Sequence, residues 1–314
     1  MPLDPQVAGL LQAMAAEGNP PIHQLPLAEA RAAAEGLIAL SGEPVPVASV
    51  HDITIPVDAI SGERGDIGAR VYTPEGEGPH PAVVFFHGGG WVICSLDTHD
   101  NIARTICRDA DAVVVSVDYR MAPEYRYPTA ALDCFAATRW VADNAASLNV
   151  DSSRIAVSGD SAGGNLSAVV TQMARDSGGP ALAYAALIYP AVDMTRKGGS
   201  LDENATGYFL ETEGMEWFMN HYLTDAQRAE TMASPMLHEN LSGLPDTFIA
   251  TCEFDPLRDE GEAYGDALRA NGGHVASKRY DGLIHGSANM IGALAGGQQL
   301  VDDTAAHLRA ALHP

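Results

Sequence analysis

Apolar positions along the chain fall into two rhythms. Residues 51–57 and 69–73 alternate apolar and polar side chains, and read as a strand pair at one sheet edge. The short runs 82–86, 112–117, 154–157, 183–189, 247–251 and 274–280 have the apolar character of strands covered on both faces. Between them, residues 100–108, 130–146, 162–175, 260–271 and 298–312 read as helices. Strands separated by helices call for right-handed crossovers. The pattern therefore predicts an α/β fold, with a mostly parallel sheet and helices on both faces.

Two segments stand outside this alternation. In residues 1–45, Val7, Leu10, Leu11 and Met14, then Leu37, Ile38 and Leu40, predict two short amphipathic helices, punctuated by Pro20-Pro21 and Gly42-Glu43-Pro44. The connection between the strands 183–189 and 247–251 is far longer than usual. Inside it, residues 211–223 carry Met215, Phe218, Met219 and Tyr222 at helical spacing. An insertion after a parallel strand lands over the carboxyl edge of the sheet, where α/β proteins bind ligands. The expected organisation is N-terminal cap helices over 1–45, a first part of the core over 46–190, a cap insertion over 191–245 and the rest of the core over 246–314. The plainer alternative for the insertion is a surface elaboration packed on the core.

Charge narrows the functional classes. Asp and Glu number 41 against 18 Lys and Arg, a net charge of −23 with no basic patch, so a nucleic-acid partner is not expected. Lys197 and Lys278 are the only lysines, which fits either salt adaptation or a coding bias toward Arg and Ala. Cys94, Cys107, Cys134 and Cys252 form no C-x-x-C pair and read as buried thiols of a reducing cytosol. Residues 1–30 lack the basic and apolar regions of a signal peptide, and the charge-free stretch 286–301 is too short and Gly-rich to span a bilayer. A cytoplasmic protein without a membrane span is expected.

The chemistry concentrates where strands meet loops. Gly159-Asp160-Ser161-Ala162-Gly163-Gly164 joins a strand to a helix, the context in which G-x-S-x-G projects a nucleophilic serine. His87-Gly88-Gly89-Gly90-Trp91 follows the strand 82–86, and its glycines let backbone N–H groups approach an anionic oxygen together with the Ala162 N–H. A serine hydroxyl needs a base. His285, in Asp281-Gly282-Leu283-Ile284-His285-Gly286, follows the last strand and is placed for that role. The other histidines, among them His51, His80, His99, His238, His274, His307 and His313, read as surface or packing residues, and His221 lies in the expected cap. The acid that orients the base should follow the preceding strand. There Asp255 is favoured, Glu253 is second, and Asp259 is expected to cap the next helix.

The order Ser161, Asp255, His285 is that of α/β-hydrolases. With Tyr119-Arg120-Met121-Ala122-Pro123-Glu124 and Asp255-Pro256-Leu257-Arg258-Asp259, these motifs make the chain resemble the hormone-sensitive lipase-like esterases, the bacterial family IV carboxylesterases, over essentially its whole length. The resemblance implies an eight-stranded sheet, a helical cap and hydrolysis of short-chain carboxylic esters. It further implies Ser161, Asp255 and His285 as the triad, N–H groups of Gly88, Gly89 and Ala162 as oxyanion donors, no metal or organic cofactor, and a homodimer formed through the strand 274–280. Trp91, Tyr189, Tyr208, Phe209, Trp217 and Phe218 are candidates for the substrate pocket, each also a reasonable packing residue. Arg120 and Glu124 suggest ion pairing, and Asp160 suggests support for the nucleophile. Ser287 and Tyr127 depart from the family, which usually has Phe at each position. Two alternatives share the fold: an arylformamidase or amidase on the same triad, and a non-catalytic small-molecule receptor. The intact triad and glycine loop argue against the receptor, and the chain is too short for the gating domain of an oligopeptidase.

Overall fold

A computed structural model describes residues 2–57 and 65–314. Its sheet has eight strands: β1 (Ser49–Val57), β2 (Gly65–Thr73), β3 (His80–Phe86), β4 (Val113–Asp118), β5 (Val150–Asp160), β6 (Tyr184–Ile188), β7 (Asp246–Phe254) and β8 (Val275–Ile284). Their order across the sheet is β1-β2-β4-β3-β5-β6-β7-β8. Only β2 runs against its neighbours. The edge pair and the buried parallel strands follow the two hydrophobic rhythms, and all seven residues of β3 are buried.

Helices cover both faces. Here α1 is Pro5–Glu17, α2 Leu27–Ala34, α3 Asp100–Ala110, α4 Thr129–Asp143, α5 Ala162–Ser177, α6 Ser200–Glu203, α7 Thr212–Tyr222, α8 Arg258–Ala270 and α9 Ala295–Leu312. Helices α4, α5 and α8 pack with Val84, Phe86 and Val157 on one face. Helices α3 and α9 pack with Val83, Phe85 and Ala156 on the other. The period of two along β3 and β5 thus supplies two apolar layers from one set of strands. Local chemistry sets helix ends as well. Asp4 caps α1 by accepting the Gln6 and Val7 N–H groups, Pro5 opens it, and Gly18 closes it at φ 68°.

Strand β3 sits between β4 and β5, at the reversal of strand order. A crevice at the carboxyl ends of the strands follows from that reversal. Over it lie the N-terminal segment and α7. The Tyr222 ring stacks on Trp91 with centroids 4.5 Å apart, and its carbonyl accepts the Tyr127 N–H at 2.9 Å. Arg126 donates to the carbonyls of Asn220 and Leu223, each at 2.8 Å. No helix among the described residues is long and apolar enough to cross a membrane.

Two local expectations change. Strand β5 extends well beyond 154–157 because its polar start pairs through the backbone at His80–Val150. Asp259 is not the cap of α8, since that helix already begins at Arg258. Its carboxylate instead accepts the Ser200 N–H at 3.0 Å and the Arg258 Nε–H at 2.9 Å, tying the segment after β6 to α8. Arg120 pairs with Asp133 and Glu124 with Arg31, each at 2.7 Å.

Candidate active site

Ser161 stands on the turn between β5 and α5 at φ 56°, ψ −117°. Such a conformation is strained for a residue with a Cβ, and packing around it must hold it there. Its N–H donates to the Ile188 carbonyl at 2.9 Å, and its own carbonyl accepts from Asn165 at 3.0 Å. The flanking glycines are sterically required. A Cβ on Gly159 or Gly163 would collide with the Phe86 carbonyl oxygen. The turn therefore lies hard against the end of β3, with the hydroxyl toward the crevice.

His285 comes from the loop after β8. Its Nε2 is 2.8 Å from Ser161 Oγ, and its Nδ1 is 2.8 Å from Asp255 Oδ2. Asp255 is fully buried beyond β7, and its other oxygen accepts the Leu257 N–H at 2.8 Å. Below the imidazole lies the Tyr189 ring, with centroids 4.6 Å apart. Glu253, the second candidate acid, accepts the Gly282 N–H at 2.7 Å. Ser287 is buried and donates to the Ile284 carbonyl at 2.7 Å, which anchors the turn after His285.

The glycine loop corrects one expectation. The Gly88 N–H is shared between Asp160 Oδ1 at 2.9 Å and His99 Nε2 at 3.2 Å and cannot also serve an oxyanion. The N–H groups of Gly89, Gly90 and Ala162 take no acceptor among the described residues. Gly89 and Gly90 have φ of 106° and 59°. A Cβ on Gly89 would run into the Ile93 carbonyl oxygen, and one on Gly90 into the Phe218 ring. Here the glycines permit both the left-handed backbone and the close packing.

A cavity of about 1770 Å³ opens above Ser161 and His285. Trp91, Phe209 and Phe218 line it, together with Leu10, Met14, Leu37 and Met215 from the N-terminal segment and α7. The other three aromatic candidates are placed elsewhere. Tyr189 lies under His285, Tyr208 packs on Phe254, and Trp217 packs between Phe218 and His221. His221 donates its Nδ1–H locally, to the Trp217 carbonyl 2.9 Å away.

Two buried groups near the site carried no pattern in the sequence. His99 is almost wholly buried, with Nε2 3.0 Å from Asp160 Oδ1. Glu260 lines the cavity and accepts the N–H groups of Val192 at 2.6 Å and Asp193 at 3.3 Å. Burial pushes its carboxyl up to about 8, against the pull of those two N–H groups. The four cysteines are free and buried, and burial pushes the Cys94 thiol, on the cavity wall, up to about 12.

Ser161, His285 and Asp255 meet at the carboxyl ends of β5, β8 and β7, an arrangement that fits a hydrolase triad. The model of the alpha/beta hydrolase fold matches residues 83–289, and the chain belongs to that family. Within it, the chain is a carboxylic ester hydrolase of the hormone-sensitive lipase-like group. It is 44% identical to the carboxylic ester hydrolase LipN of Mycobacterium tuberculosis, over 82% of this chain and 70% of that one. It is 35% identical to an arylesterase of Saccharolobus solfataricus, over 91% and 92% of the two chains. The solved structure of a hyperthermophilic esterase from the archaeon Pyrobaculum calidifontis superposes with a TM-score of 0.93 at 41% identity, over 99% of each chain.

Proposed function

We propose that this enzyme is a serine carboxylesterase that hydrolyses short-chain carboxylic esters through an acyl-enzyme on Ser161. The reading is carried by the unbroken line from Ser161 Oγ through His285 to Asp255, with both hydrogen bonds at 2.8 Å. His285 Nε2 takes the hydroxyl proton as Oγ attacks the ester carbonyl. Asp255 holds the imidazole in the tautomer that can accept it, and stabilises the charge it gains. The tetrahedral oxyanion lies against the N–H groups of Gly89, Gly90 and Ala162, at the N-terminus of α5, where the helix dipole also favours negative charge. Collapse of this intermediate returns the proton to the departing alcohol. Water then attacks the acyl-enzyme, with His285 again the base, and frees the acid and Ser161.

The segments 1–45 and 191–245 act together as the cap of this site. Phe218 stands against Gly90 and closes the wall beside the oxyanion loop, which favours a short acyl chain. The remaining cavity exceeds the roughly 300–1,000 Å³ of an ordinary small-molecule site, so bulky alcohol groups have room. Four free, buried thiols fit a reducing cytoplasm. Strand β8, a sheet edge, is the surface for a homodimer.

A time course on p-nitrophenyl esters from acetate to palmitate, run beside Ser161→Ala, tests the assignment. Turnover should peak at short chains and vanish in the variant. Undiminished turnover in purified Ser161→Ala would refute it. Failure of the folded protein on every ester, with turnover of matched anilides, would transfer the triad to amide chemistry.

A further inference from the structure

One wall of the cavity carries a carboxyl that acyl transfer does not use. Glu260 stands in the first turn of α8 and is only 3% exposed, yet it lines the cavity above Ser161. Its two oxygens have different surroundings. Oε1 accepts the Val192 N–H at 2.6 Å and the Asp193 N–H at 3.3 Å. Oε2 meets no donor among the described residues and is open to the cavity. A carboxyl with both N–H groups on one oxygen uses that oxygen as its carbonyl end, and a proton belongs on the other. The Oε2–H of the acid form is therefore a donor aimed into the cavity.

Backbone contacts tie this group to the reacting centre from two sides. Ala191, next to Val192, donates its N–H to the Ser161 carbonyl at 3.4 Å, and its own carbonyl accepts from Asn165 Nδ2 at 2.8 Å. Leu257, three residues before Glu260, donates its N–H to Asp255 Oδ1 at 2.8 Å. Ala191 and Leu257 both line the cavity. A substrate chain that leaves Ser161 along this wall thus crosses apolar surface before it meets the carboxyl. Few polar groups on apolar walls are how a cavity reads the position of a polar atom.

We infer that Glu260 is a specificity-determining residue, whose Oε2–H donates to an acceptor oxygen that the substrate carries beyond its scissile ester. The enzyme then favours alkoxy-, hydroxy- or oxo-substituted esters over all-carbon esters of the same length. This rests on the reading of Ser161 as the nucleophile of an esterase.

The surroundings keep the proton in place at neutral pH. Burial pushes the Glu260 carboxyl up to about 8, and the Val192 and Asp193 N–H groups pull the other way without prevailing. The charges of Asp193, on the segment after β6, and of Asp255, beyond β7, push it up as well. Arg196, a cation on the same cavity, is turned to Asp259 at 3.8 Å, and His285 is held between Asp255 and Ser161. Once ionised, Oε2 would present a negative charge to the lone pairs of the same acceptor and repel it.

Matched esters of equal length test this. Alkyl acetates are run beside oxa-alkyl acetates, and p-nitrophenyl alkanoates beside their oxa counterparts, with the oxygen moved along the chain one position at a time. The readout is the ratio of kcat/KM, oxa over all-carbon, from about pH 6 to about pH 9.5. The titration of His285 is common to both members and cancels in that ratio. For the best-placed oxygen, the wild-type ratio should fall about fivefold as the pH passes about 8. Glu260→Gln keeps an oxygen for the Val192 and Asp193 N–H groups and offers an amide N–H to the cavity, so it should hold the low-pH ratio throughout. Glu260→Leu, where it folds, should show the wild-type high-pH ratio at every pH. The series that responds tells whether the acyl or the alcohol chain reaches Glu260. A wild-type ratio flat with pH at every oxygen position, or one that falls equally in Glu260→Gln, would overturn this inference alone. Turnover of neither member of any pair would overturn the esterase reading, and this inference with it.

Discussion

Two buried histidine–aspartate pairs flank Ser161, and they face opposite ways. In His285–Asp255 the outer ring nitrogen points at a hydroxyl and the open cavity. In His99–Asp160 both ring nitrogens end on protein groups, and the carboxylate holds a backbone N–H. Similar side chains in similar burial thus take different work. A ring nitrogen with a free path to substrate can move a proton, whereas a ring enclosed on both sides can only hold shape. The difference lies in the last hydrogen bond of each chain.

The comparison can be broken most severely at the nucleophile. Ser161→Ala should reduce kcat by about 10⁴-fold or more while the urea midpoint stays close to wild type. Next in size is the acid. Asp255→Asn should cost about 10³- to 10⁴-fold in kcat, because the wrong imidazole tautomer is favoured. Glu253→Gln, which removes only an acceptor for the Gly282 N–H, should change kcat by no more than a few-fold. The reverse ranking would exchange their roles.

Smaller effects sharpen the picture of the cavity wall. Tyr222 is fully buried and stacked on Trp91. Tyr222→Ala should destabilise by about 3 kcal/mol, read as a lower urea midpoint, and raise KM as α7 loosens over the site. Glu260 gives a pH signature. Its folded-state value of about 8 lies above the ordinary 4.5, so the folded chain keeps a proton that the unfolded chain releases. Its contribution is full below about 4.5 and is lost as pH rises through about 8, with a slope of at most ~1.4 kcal/mol per pH unit. Relative to Glu260→Gln, wild-type stability should therefore fall between pH 5 and 8, and parallel curves would remove this role.

What could be read from the sequence follows the same division. Ser161, Asp255 and His285 each stand directly after a strand, in a local pattern that marks the position, and the fold brings all three together. The sheet was legible because buried parallel strands are apolar whatever surrounds them. The glycine loop was legible as a loop beside Ser161, but which of its N–H groups remains free depends on Asp160, 72 residues away in sequence, capturing that of Gly88. Tyr189, Tyr208 and Trp217 show the limit for aromatic residues, since a ring packs as well under an imidazole or against another ring as along a cavity. His99 and Glu260 carried no signal, because burial of a titratable side chain is a tertiary property. His99 precedes α3 with nothing to set it apart from the other histidines.

The most direct test of the central claim is to inactivate the enzyme with a p-nitrophenyl alkylphosphonate and locate the label by peptide mass spectrometry. Loss of activity in step with one phosphonyl group per chain, carried on Ser161 and absent from Ser161→Ala, is the predicted result. Inactivation with the label on another residue, or full activity retained by a chain labelled on Ser161, would contradict the account.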